Sequence, residues 1–126
     1  MSNSLGLQLT LQFNLASTVV AQQQFPSTNF AVAGDHFSQN IWSVPTSAGG
    51  TAIPLGGVAT PGGYLWVKNN DATNYVQLMT AVSTGVAFAR LGPGEAACFR
   101  LDATVTAPAA IAHTAVCEIQ YLMLDA

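Results

Sequence analysis

The stretch Gly62-Gly63-Tyr64-Leu65-Trp66-Val67-Lys68-Asn69-Asn70-Asp71-Ala72-Thr73-Asn74-Tyr75-Val76-Gln77-Leu78 constrains the fold more than any other. Two aromatic and β-branched runs flank a cluster of Asn, Asp and Thr, whose short polar side chains hydrogen-bond nearby backbone and so favour turns. This is the pattern of a β-hairpin. Leu91-Gly92-Pro93-Gly94-Glu95-Ala96-Ala97-Cys98-Phe99-Arg100 repeats it as strand, tight Pro-Gly turn and strand, with no room for a crossover helix. An antiparallel all-β domain is predicted.

The rest of the chain reads the same way. Residues 5–13 place Leu5, Leu7, Leu9, Leu11 and Phe13 on one face and Gly6, Gln8, Thr10 and Gln12 on the other, a strict period of two. Over residues 16–29 the signal weakens, with a short strand at 18–20 and a loop running through Gln22-Gln23-Gln24 and Pro26-Ser27-Thr28-Asn29. Strands are expected at 30–32 and 37–44, joined at Gly34-Asp35, then at 51–55, where Pro54 implies an edge or a bulge. Further strands are expected at 64–69, 74–80, 86–91, 95–101 and 115–124, and a helical turn is allowed at 107–112. About eight to ten short strands at such spacing make a sandwich or barrel. The long strands at both ends suit an antiparallel jelly-roll-like β-sandwich whose first and last strands share a sheet. An immunoglobulin-type sandwich fits less well, because Trp42 and Trp66 both precede Cys98 and Cys117.

The predicted core comprises Leu7, Leu9, Leu11, Phe13, Leu65, Val67, Val76, Leu78, Phe99, Ile119 and Tyr121. At 126 residues the chain makes one sandwich domain, residues 1–126, with residues 1–4 as an N-terminal arm.

Charge limits the function classes. Only 7% of residues are charged, against roughly 25% in ordinary soluble domains, while 50% are hydrophobic. A compact chain of this mass exposes on the order of 6,000 Å², which so few charges do not cover. Much of the surface is therefore uncharged polar or buried against other chains. Lys68, Arg90 and Arg100 are the only Lys or Arg residues, too few to neutralise a row of phosphates, so neither direct nucleic-acid binding nor an anionic membrane is expected. No apolar run approaches the roughly 20 residues of a membrane span, and no basic, then apolar, segment opens the sequence as a secretory signal would.

No catalytic, cofactor or metal site emerges. Asn69, Asn70, Asp71, Thr73 and Asn74 offer oxygens to a calcium ion, but Asp71 is the only carboxylate among them, so turn capping is expected. Asp35 and His36 are adjacent and would point to opposite faces of a strand; His113 has no second histidine close by. Gly92 and Gly94 lack the third glycine and the helix of a phosphate loop; Pro93 and Gly94 instead suit a turn with positive φ at Gly94. Alternation turns Phe99 toward the core and Cys98 away from it. Cys98 and Cys117 are thus expected as unpaired thiols without a base to activate them.

Several of these segments together resemble small jelly-roll virion proteins of tailed bacteriophages. They are Ile53-Pro54-Leu55-Gly56-Gly57-Val58 through Gly62-Gly63-Tyr64, the Asn69-Asn70-Asp71 and Asn74-Tyr75-Val76 turn, and Leu91-Gly92-Pro93-Gly94-Glu95 with Phe99-Arg100. The resemblance spans residues 53–124, leaves the N-terminal third unmatched, and rests on turn chemistry. It implies a non-enzymatic particle protein: a capsid decoration or cement protein, often a homotrimer, bound to the major capsid protein or other virion proteins, or else a head-fibre or tail component. The implied location is the virion, assembled in the host cytoplasm, and the family has no catalytic residues to carry over.

Tyr64, Trp66 and Tyr75 are the candidate interface residues. Aromatics are enriched in interface cores. If the three shared one exposed surface, they would equally suit a carbohydrate-binding β-sandwich module, the alternative of another class.

Overall fold

The computed structural model of the chain describes residues 3–32, 36–59 and 63–125. The joint expected at Gly34-Asp35, and Pro61-Gly62, lie outside them. The described residues contain ten strands and no helix. These are β1 (Asn3–Leu15), β2 (Thr18–Val32), β3 (Phe37–Val44), β4 (Thr51–Ala52), β5 (Tyr64–Asn69), β6 (Val76–Met79), β7 (Ala87–Leu91), β8 (Ala96–Arg100), β9 (Ala109–Ala112) and β10 (Cys117–Leu124). The chain divides into two compact units, Met1–Ala33 and Gly34–Ala126.

The second unit is a sandwich of two antiparallel four-stranded sheets, ordered β3-β10-β5-β8 and β4-β9-β6-β7. Numbered from the unit's own first strand, the orders are one, eight, three, six and two, seven, four, five. This is the jelly-roll arrangement of two interlocked Greek keys. Alternation along β5, β6 and β10 buries Leu65, Val67, Val76, Leu78, Ile119 and Tyr121, as predicted, and Phe99 packs against this core half-buried. Val44, Ile53, Val58, Leu91, Leu101, Cys117 and Met123, with Ala110 and Ala112 of β9, belong to the same core. The buried Tyr121 hydroxyl is satisfied: it donates to the Pro54 carbonyl at 2.8 Å.

The first unit is a β1-β2 hairpin that forms a sheet of its own. Residues 3 and 4, expected in an arm, belong to β1. Its turn is Ala16-Ser17, both at positive φ (47° and 71°), the sign that a two-residue turn needs to match strand twist. Both register shifts place the extra residue in β2, one of them at Pro26-Ser27, where a bulge relieves proline of donating to the ladder.

Four expectations are corrected. Leu9, Leu11 and Phe13 are not core: they are 56%, 71% and 58% exposed, and Leu7 is only half-buried, because a two-stranded ribbon carries no second layer over that face. The chain's first strand does not share a sheet with its last; β3 takes that place beside β10. Residues 22–29 are strand rather than loop, since backbone pairing with β1 needs no apolar pattern in β2. Residues 109–112 are strand rather than helical turn: as an inner strand between β4 and β6, β9 gains backbone pairing on both sides, which outweighs the helix propensity of alanine.

Candidate functional site

Strand alternation sends one set of side chains from β3, β10, β5 and β8 outward, and register aligns them in rows. Leu124 stands opposite Phe37, and Tyr64 opposite Arg100. Leu122 lies between Gln39 and Trp66, with Cys98 beyond Trp66. The next row runs Ile41, Gln120, Lys68, Ala96. Phe37 and Ile41 are 62% and 64% exposed, while Tyr64, Trp66, Leu122 and Leu124 are half-buried. Arg100 ends the row that Leu124 and Tyr64 share, with its guanidinium 5.5 Å from the Tyr64 ring centre, Lys68 stands in the Ile41 row, and Glu118 lies one row further on. The result is an apolar band across β3, β10 and β5, closed at the β8 edge by Cys98 in one row and Arg100 in the other. Large apolar patches of this kind mark interaction sites.

Tyr64 and Trp66 meet on this face, but Tyr75 does not join them. It precedes β6 in the other sheet, where its ring stacks on His113 (centroids 5.1 Å apart) and lies 3.6 Å beneath the Arg90 guanidinium. The His113 ring in turn bonds Gln77. β5 and β6 belong to opposite layers, so the expectation of one aromatic surface fails. Phe37, Ile41, Leu122 and Leu124 were missed as partners of Trp66; the signal available was that residues 115–124 are apolar on both faces.

The polar clusters have structural roles. The Asp71 carboxylate accepts the backbone N–H groups of Asn74 (2.7 Å) and Thr73 (2.8 Å), which hold its pKa below the ordinary carboxylate value. This is the predicted capping. Asn69, fully buried, donates to the carbonyls of Asn74, Leu91 and Gly92 and so ties the hairpin turn to the Pro93-Gly94 turn. In that turn Gly94 adopts φ +75°, and the Glu95 carboxylate accepts the Gly92 N–H at 2.8 Å. His36 pairs with Asp125 across 3.0 Å, and Asp125 also accepts the Ala59 N–H, fastening β3 to the end of β10.

Both cysteines are free thiols, as expected. Cys98 is half-buried beside Trp66's strand and Cys117 is wholly enclosed; desolvation raises the pKa of each, so neither is primed as a nucleophile. An apolar cleft lined by Phe88, Phe99, Leu101 and Val105 encloses about 180 Å³, less than the roughly 300 Å³ at which small-molecule sites begin. Among the described residues, no cluster of three or more His, Cys, Asp or Glu is arranged to hold a metal ion.

Comparison of the chain with protein-family models, with curated proteins and with solved structures gives no match.

Proposed function

We propose that this chain is a non-enzymatic structural protein of a bacteriophage particle, a decoration or cement protein that works as an oligomer docked on the head shell. The observation that carries the reading is the apolar band of Phe37, Leu124, Leu122 and Trp66 on the outer face of a jelly-roll sheet. A face of this composition gains by losing contact with water, at roughly 25 cal/mol for each Å² of apolar surface covered. The major capsid protein is the proposed partner, and a protein that binds only the assembled shell stabilises it by mass action. A tail or head-fibre position is the second placement that the same surface would serve.

Glycan binding is the competing class. It draws on Trp66 and on Tyr64, whose ring has the Arg100 guanidinium 5.5 Å from its centre, since the ring of Tyr75 is engaged by Arg90 and His113. The test is to image particles with and without the protein and to compare their thermal release of DNA. Density on the head shell and a lower release temperature without the protein support the reading. A soluble monomer that binds glycans, or a copy confined to the tail, overturns it.

A further inference from the structure

The β1-β2 hairpin lacks what an isolated ribbon needs. Residues 1–34 contain no Asp, Glu, Lys, Arg or His. Edge strands are ordinarily protected by charges, by shortness or by cover, and a two-stranded ribbon by itself is marginal in water. Here the strands are 13 and 15 residues long, and one face of β1 carries Leu5, Leu7, Leu9, Leu11 and Phe13. The opposite face is polar, with Gln12 donating to Asn14 at 2.9 Å. A ribbon with an apolar stripe along β1 and two open edges is half of a layer.

We propose that the hairpins of three copies of this chain pack together through the Leu5–Phe13 face, with their edges joined. This rests on the reading of the chain as an oligomeric particle protein and names the segment that makes the self-contact. Length points to the occupant: the longest strands of the sandwich have eight residues, so among the described residues only another such hairpin matches these edges from end to end. Charge points the same way, because a surface without charges is complementary to itself and gains nothing from a charged partner. Closure of the edges, rather than area, decides the number of copies. A ribbon face of this length covers on the order of 400 Å². Two facing ribbons would bury on the order of 800 Å² and leave their edges open, whereas three would share about 1,200 Å² among three contacts of about 400 Å² each, so area alone does not set the number. Three also close into a ring in which each edge meets a neighbour, leaving none open.

The experiment measures the mass of the full chain by size exclusion with light scattering. Wild type is expected at three chains, and Leu9→Glu/Leu11→Glu at one, an about threefold fall in mass. Trp42 and Trp66 both lie in the sandwich unit, so unchanged tryptophan fluorescence shows that the variant has lost assembly rather than fold. In a second variant, Leu11→Cys, mild oxidation is expected to cross-link copies that wild type leaves unlinked. A monomeric wild type overturns the proposal. So does an oligomer that survives the paired glutamates, or one that Ile41→Glu dissolves while Leu9→Glu/Leu11→Glu leaves it intact, which would move the self-contact to the sandwich. Failure of the particle reading is separate: it is read from where the protein sits on the particle, not from its mass in solution.

Discussion

The side-chain oxygen of Asn69 accepts the backbone N–H of Asp71 at 2.9 Å, while the amide nitrogen of the same side chain serves three carbonyls behind it. Both amide hydrogens are thereby used, one of them shared between two carbonyls, and the oxygen has its own donor. Asn69→Asp keeps the shape and removes the donor, so a carboxylate would face the carbonyls of Asn74, Leu91 and Gly92. At neutral pH the loss is expected to be about 3 kcal/mol, since each buried group left without a partner costs about 1–3 kcal/mol. The introduced acid would have its folded pKa raised, so the folded state holds its proton longer than the unfolded chain. Destabilisation therefore grows as pH rises from about 4 and shrinks in acid. Chemical denaturation at several pH values checks this; a variant equally stable at all of them contradicts the assigned donors.

Gly63 and Gly94 separate two reasons for glycine. A Cβ on Gly63 would lie 2.4 Å from the Asp125 carbonyl oxygen and 2.5 Å from that of Leu124, both backbone atoms. Gly63→Ala is expected to cost about 3 kcal/mol, the upper part of the range for overpacking. At Gly94 a Cβ meets nothing within 4 Å, but φ is +75°, so Gly94→Ala is expected to cost about 1 kcal/mol. Denaturation midpoints rank the two, and the reverse order would show the close approach at Gly63 to be wrong.

The hairpin turn is improvable. Ala16 and Ser17 both occupy positive φ without being Gly, Asn or Asp, whereas Asn-Gly is the preferred pair for such a turn. Ala16→Asn/Ser17→Gly is expected to stabilise the hairpin by about 1 kcal/mol, read as slower amide exchange in β1 and β2 with exchange in the sandwich unchanged. Faster exchange in those strands would mean a different turn geometry.

Thiol chemistry reports the outer face. Two thiols per chain are expected to titrate after denaturation, and a count near zero would mean a disulfide. In the folded chain only Cys98 is expected to react, because Cys117 is wholly enclosed. Desolvation lifts the Cys98 pKa above the ordinary 9.0, so its rate should be slow at neutral pH and rise about tenfold per pH unit as thiolate forms. On assembled particles the proposed contact covers the neighbouring Trp66 row, and labelling of Cys98 should then be suppressed.

What the sequence determined by itself is local. Turn chemistry at Asn69 to Asn74 and at Pro93-Gly94 depends on a few neighbouring residues, and period-two patterning sorted the inner faces of β5, β6 and β10 correctly. Alternation says which side chains share a face; it does not say what that face meets. The Leu5 to Phe13 stripe carries the pattern of a core strand, yet it lies in a two-stranded ribbon because pairing partners are chosen over long distances in the chain. The same limit applies at the candidate site. Trp66 and Tyr64 were legible as aromatics on one side of β5, but only the tertiary structure, by seating β10 between β3 and β5, brought Leu122 beside Trp66 and Leu124 beside Phe37. It also sent Tyr75 to the opposite layer, since jelly-roll winding places β5 and β6 in different sheets and so separates residues that are close neighbours in the chain.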